Sequence, residues 1–269
     1  MGNICVIGPR GSGKTTYLAA LAYWPDKSET SKIEIQPLND ESRGLVDAAE
    51  NIVRQGEALE ATRIADLGTV DQLPYYSFNI EAKLSFWSRK ESIQLNARDY
   101  PGEIFEKIAE PNNADAVHEE FIDECLMKDV VGCLILLTAW EGKNDTFYDR
   151  VMGKFLELMD ERDRASNLRL AIAMSKCERG ELWPGRIDPE TEIFKRYLPR
   201  MTNTLKRKLS PDHLRFYALS TFGVLGRNDP RPNRVDLLAS QRRGSVLRDE
   251  KSWQPYNMIP PLYWLSRGK

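Results

Sequence analysis

Residues Gly8-Pro9-Arg10-Gly11-Ser12-Gly13-Lys14-Thr15 follow the apolar run Ile4-Cys5-Val6-Ile7 directly and lead into a helix-forming stretch. A strand, a glycine-rich loop closing on Lys-Thr, and a helix together open a parallel α/β unit. In such a loop the glycines let successive backbone N–H groups curl around a phosphate. Lys14 then reaches the β- and γ-phosphates, and Thr15 places its hydroxyl on Mg²⁺. The N-terminus of the following helix adds its dipole to the same anion site.

A length of 269 residues suits one α/β domain with insertions. Four cysteines with no Cys-x-x-Cys pair, and two histidines, suggest neither a disulfide framework nor a zinc site. No apolar run approaches the ~20 residues of a membrane span. The chain enters its first strand at once, which leaves no room for a signal peptide and sets the expectation of a cytoplasmic protein. The formal net charge of −2 hides an asymmetry: residues 1–194 hold 22 Lys/Arg against 35 Asp/Glu, whereas residues 195–269 hold 16 against 5. Two readings stay open. Either solvated faces neutralise each other across the fold, or the basic part docks an acidic partner, with protein ahead of nucleic acid.

Periodicity predicts a helix over 14–23 stopped by Pro25. A second spans 39–56, with Asn39 as N-cap and Leu45, Ala48, Ala49, Ile52 and Val53 as its apolar stripe. Residues 27–61 as a whole read as a helical insertion, although 27–38 has no clear period. Residues 76–86 and 92–97 alternate at period two and predict an antiparallel strand pair. Downstream come helix to about Met127 with a break near Pro111, a buried strand over 130–138, a helix over 145–164 and a strand over 168–174. A helix over 189–209 that contains Pro199, a strand over 214–219 and a last helix over 258–267 follow. The Arg/Pro/Asn-rich stretch 223–255 reads as irregular, and 227–251 as mobile. The pattern predicts an α/β fold: a doubly wound, mostly parallel sheet with one antiparallel edge hairpin and helices on both faces. Ligands bind beyond the carboxyl ends of such strands.

Three further turns carry chemistry. Asp99-Tyr100-Pro101-Gly102-Glu103 ends a strand, where an aspartate can hold Mg²⁺ through water and a glycine N–H can meet a γ-phosphate. Ser175-Lys176-Cys177-Glu178 ends another: a lysine stem can lie over a purine, and a carboxylate two residues on can accept from the guanine N1–H and N2–H₂ edge. The alternative for Glu178 is a plain surface acid beside Arg179. After the next strand, backbone N–H groups of Ser220-Thr221 can contact the base oxygen.

In this order the motifs resemble the Ras-like small GTPases and the wider translation-factor-related class of P-loop GTPases, over residues 3 to about 222. In style the chain looks closest to bacterial GTPases of multi-gene conflict-type systems. These share the Gly-Pro-x-Gly-Ser-Gly-Lys-Thr-Thr loop, a helical insertion before the first switch, and a Pro-rich tail ending in an aromatic helix such as Pro260-Pro261-Leu262-Tyr263-Trp264. The resemblance implies nucleotide contacts at Gly8, Arg10, Gly11, Ser12, Gly13, Lys14, Thr15 and Thr16, at Asp99 and Gly102, and at Ser175, Lys176, Glu178, Ser220 and Thr221. It also implies a switch I threonine that completes the Mg²⁺ shell. Thr62 fits the spacing, with Thr69 as the alternative, so Thr15, Thr62 and Asp99 are the candidate metal ligands.

Departures from the family pattern shape the functional expectation. The base-reading turn ends in Glu178 where the family has aspartate, one methylene shorter. Glu103 stands where efficient hydrolysers place a water-orienting glutamine. Arg10 stands where Ras-like proteins commonly have glycine; it either neutralises Glu103 or acts as a finger in cis, or it blocks a partner's finger. Gly102, Glu103 and Arg10 are the candidate catalytic residues. The expectation is a Mg²⁺-dependent GTP/GDP switch with slow hydrolysis, whose segments 56–70 and 99–112 are read by a protein effector or regulator. Two alternatives stay open: an ATP-driven enzyme with Arg242 and Arg243 as a phosphate clamp, and a scaffold that retains nucleotide without turnover.

Overall fold

A computed structural model of the chain describes residues 3–27, 33–55, 69–82, 91–110, 116–139, 144–239 and 242–268. Strand β1 (Asn3–Ile7) runs into the glycine loop and helix α1 (Lys14–Lys27). Strands β5 (Val130–Leu137), β6 (Arg169–Met174) and β7 (Leu214–Ala218) complete a parallel sheet in the order β1-β5-β6-β7. β1, β5 and β6 are largely apolar on both faces because both faces are covered, whereas the edge strand β7 exposes Arg215. Ile4, Val6, Leu134, Leu136, Ala171 and Ala173 point to one side, where α1 and α8 (Pro260–Arg267) pack through Tyr17, Leu18, Leu21, Trp264 and Leu265. The alternate residues Ile7, Ile135, Leu137, Ile172 and Met174 face the other side. There they meet Ile104 and Phe105 of α3 (Gly102–Lys107), Phe121 of α4 (Ala116–Leu126), and Tyr148, Val151 and Phe155 of α5 (Asp145–Glu161).

A second, antiparallel sheet has the order β2-β3-β4, from β2 (Ile33–Pro37), β3 (Tyr75–Ala82) and β4 (Glu91–Arg98). Its register stacks Ile35 against Ile80 and Ile80 against Ile93. β4 lies alongside β1, where the Asn96 amide donates to Asn3 Oδ1. The parallel sheet is therefore present with helices on both faces, and the antiparallel hairpin expected at its edge is part of a three-stranded sheet of its own beside β1.

Several elements differ from the sequence reading. The insertion read over 27–61 is not only helical, because β2 forms within it. α2 (Asp40–Glu50) begins as read, with Asn39 Oδ1 accepting from the Ser42 N–H at 3.0 Å, and ends in a wider π-type turn over Asn51–Gln55. α1 continues past Pro25, since a proline this near a helix end removes only one late hydrogen bond. The helix read over 189–209 breaks at Leu198: a wider π-type turn over Glu190–Phe194 runs into a short α6 (Lys195–Tyr197), and Pro199 starts a separate α7 (Pro199–Lys208). Residues read as mobile form an antiparallel hairpin, β8 (Arg234–Ala239) against β9 (Arg242–Leu247). Cys5, Cys125, Cys133 and Cys177 are free and buried. No described helix is long and apolar enough to cross a membrane.

Candidate functional site

The site lies where β1 and β4 deliver their C-terminal ends. Between β1 and α1 the chain needs glycine: Gly8 has φ +152°, and a Cβ there would sit 2.2 Å from the Leu136 carbonyl oxygen. Gly11 and Gly13 also have positive φ, at +76° and +85°. Lys14 is buried and folds back over the loop, donating to the carbonyls of Gly8 at 2.9 Å and Pro9 at 3.3 Å. Burial lowers its ammonium to about 8, against the opposing pull of Asp99 and Glu106. Ser12 Oγ is buried with no hydrogen-bond partner among the described residues, and Thr16 is half-buried in the first turn of α1.

Thr15 Oγ1 donates to Asp99 Oδ2 at 2.6 Å. Burial raises the Asp99 carboxyl, while the Thr15 hydroxyl and the Lys14 charge pull it down. A hydroxyl and a carboxylate so close are hard oxygen donors of the kind Mg²⁺ takes, and Mg²⁺ commonly completes its shell with phosphate oxygens and water. That suits a place where, among the described residues, no cluster of His, Cys, Asp and Glu makes a metal site by itself.

The Asp-x-x-Gly turn touches the phosphate loop. A Cβ on Gly102 would lie 2.0 Å from the Arg10 nitrogen and 2.5 Å from the Pro9 carbonyl carbon, so only glycine permits this approach. The Arg10 N–H donates to Glu106 Oε1 at 2.9 Å, and Arg10 Nη1 sits 3.6 Å from Glu103 Oε1. The latter pair is open to solvent, so it holds Arg10 loosely. Glu106 escaped the sequence reading. The signal was there, since Glu103 and Glu106 share one helix face at i,i+3.

Thr62 and Arg63 lie outside the described residues. Thr69 precedes a short 3₁₀ turn, Val70–Gln72, whose Val70 N–H donates to Glu120 Oε2 at 2.9 Å. Arg54 pairs with Glu50 of α2 and with Glu250 in the segment after β9, and so ties α2 to that segment. His118 is buried beside Phe121 on α4, and His213 Nδ1 lies 2.9 Å from Ser210 Oγ in the turn before β7. Trp253 and Trp264 are buried in the core, as packing alone explains. The side chains of Arg242 and Arg243 are outside the described residues.

At the end of β6, Ser175 donates from both N and Oγ to the Leu137 carbonyl, at 2.8 and 2.7 Å, tying the turn to β5. Lys176 takes φ +56°, and the Cys177 N–H bonds to Leu219 O at 3.1 Å, which joins this turn to the one after β7. Glu178 is not a surface acid: it is 1% exposed. Its Oε1 lies 3.3 Å from Arg234 Nη1 of the hairpin, and its Oε2 is buried without a partner among the described residues. The Ser220 N–H expected at the base instead bonds to Tyr256 O at 3.0 Å, because residues 253–258 run against this turn. Ser220 Oγ accepts from the Gly223 N–H at 2.7 Å and Thr221 O accepts from Trp253 Nε1 at 2.9 Å.

The sequence model of the Double-GTPase 1 family matches residues 5–167, which include the phosphate loop and the Asp99–Gly102 turn. Among solved structures, Sup35 complexed with GMPPNP has a TM-score of 0.39 at 11% identity, over 82% of this chain and 37% of that one. The S. cerevisiae Ski7 GTPase-like domain bound to GTP has a TM-score of 0.42 at 14% identity, over 90% of this chain and 46% of that one. This chain thus spans less than half the length of either. No curated protein matches. With its parallel sheet, glycine loop and Asp-x-x-Gly turn in place, the chain belongs to the Double-GTPase 1 family and has the α/β fold of a P-loop GTPase.

Proposed function

We propose that the protein is a Mg²⁺-dependent GTP-binding switch with slow intrinsic hydrolysis, reporting its nucleotide state to a protein partner. One observation carries the reading: the Gly102 backbone is pressed against Pro9 and Arg10 of the phosphate loop. An amide there is placed to sense a γ-phosphate held by the same loop. Mg²⁺ would be held at Thr15 and Asp99 and would supply positive charge that offsets the charge of the triphosphate. Lys14 would carry its ammonium from the Gly8 and Pro9 carbonyls to the phosphate oxygens, and the buried Ser12 hydroxyl, without a partner among the described residues, would donate to an oxyanion. Glu103 stands at the loop's mouth, where its charge repels a γ-phosphate and Arg10 offsets only part of that. Hydrolysis is therefore slow until a partner rearranges these side chains.

The nucleotide acts through its different contacts with two states of the segments 56–70 and 99–112, which the partner reads. Titration calorimetry with GTP, GDP and ATP, with and without Mg²⁺, tests the proposal. GTP and GDP are expected to bind with ATP roughly 100-fold weaker or worse, and turnover of GTP on the order of 10⁻³ s⁻¹ or below. ATP binding as tight as GTP, or affinity for the triphosphate indifferent to Mg²⁺, would overturn it.

A further inference from the structure

The hairpin β8–β9 is latched to the turn 175–178 by a chain of charged hydrogen bonds. Arg234 uses its whole fork: Nη1 toward Glu178 Oε1 at 3.3 Å, Nε to Asp236 Oδ1 at 2.7 Å and Nη2 to Ser245 Oγ at 2.5 Å. Its guanidinium also lies over the Phe222 ring, 5.6 Å from the centroid. Asp236 in turn takes Arg179 Nη2 at 3.0 Å, so the hairpin grips the turn at Glu178 and at the arginine that follows it. The extra methylene of glutamate over aspartate gives Glu178 the reach to meet an arginine on another element. One oxygen of a buried carboxylate is thereby engaged, and the other, Oε2, has no donor among the described residues. Such an orphan is costly unless a ligand supplies the missing N–H.

We infer that Arg234 is a positioning residue that sets how this protein reads its base. By holding Oε1 it leaves Oε2 alone to accept from a purine, so the carboxylate takes one donor, the guanine N1–H, rather than N1–H and N2–H₂ together. The inference rests on the guanine-nucleotide reading above. Its consequence is that the exocyclic N2 amino group adds little, and hypoxanthine, which keeps N1–H but lacks that group, is accepted nearly as well as guanine. Adenine, with an acceptor at N1, is still refused.

The test compares GDP with inosine diphosphate by calorimetry on the full chain. In the unmodified protein the two dissociation constants are expected to agree within about threefold, since no charged hydrogen bond is lost. Arg234→Met removes the latch while keeping bulk, and Glu178→Asp draws the carboxylate away from it. Each frees both oxygens for the base, and GDP should then be preferred by about tenfold or more even if affinity for both falls. A loss of fold alone would weaken both nucleotides together and leave the ratio unmoved, and the unmodified protein needs no variant to give its answer. A tenfold preference for GDP in the unmodified protein, or a ratio unchanged in both variants when their urea unfolding shows them still folded, overturns the inference while leaving guanine binding intact. Failure of GDP and GTP to bind at all overturns the nucleotide reading and this inference with it.

Discussion

Lys14 carries a charge that the fold holds at a cost. Its folded ammonium titrates near 8 against an ordinary value of 10.5, chiefly because it is buried. Between those two values the unfolded chain binds the proton that the folded chain has released, so stability rises as pH rises through that window. Below about pH 8 both states are protonated and the penalty is at its full size. Lys14→Met lacks the group, so the stability of the wild type relative to that variant, without added nucleotide, should rise by about 3 kcal/mol from pH 8 to 10.5. Urea unfolding of both proteins across that range measures it, and a flat difference would show that Lys14 keeps ordinary basicity. The same residue shows what was legible at this scale. The lysine, its glycines and Thr15 are neighbours in sequence, so their joint role could be read there. The partners of Glu178 and of the Arg10 amide come from 56 and 96 residues away, and no local spacing announces them.

Elements were legible where apolar period and burial agree. β5 and β6 are continuous apolar runs because helices cover both faces. β2 has five residues, alternates between half-buried and exposed, and sits at a sheet edge, so it left too short a pattern to detect. The hairpin β8–β9 was illegible for another reason: Arg234, Asp236 and Ser245 bind one another across it, and Val235 points outward. Polar cross-strand bonds replace the apolar alternation that marks a strand. α8 is the opposite case. Pro260 and Pro261 start it, Gly268 closes it at φ +73°, and the Arg169 guanidinium bonds to Leu265 O from the sheet. Its Trp264 is fully buried on the face where β6 presents the small Ala171 and Ala173, which make room for an indole. Trp264→Ala should therefore cost about 3–5 kcal/mol, seen as a lower urea midpoint with an unchanged slope. A loss below about 1 kcal/mol would mean that α8 merely rests on the sheet.

Across the whole molecule, the excess of acid before residue 195 and of base after it is partly settled internally. Glu190 pairs with Lys195 and Lys206, Asp160 with Lys208, and Glu178 with Arg234, each joining the acidic part to the basic one. Because Glu190 lies between two lysines, its carboxyl is held below the usual range. Pairs of this kind shorten the reach of the basic surface, and at physiological salt exposed charges beyond ~8 Å are screened in any case. A surface with part of its cations paired holds a phosphate backbone less well, because that hold depends on many unpaired cations releasing counterions. Binding to a random DNA duplex, followed by fluorescence anisotropy, should be detectable at about 20 mM salt and vanish by about 150 mM. Glu190→Gln frees two lysines at once and should push the salt at which binding disappears upward, because it restores cations that the fold had neutralised. Duplex binding by the unmodified chain that persists at 150 mM would instead assign the basic third to nucleic acid.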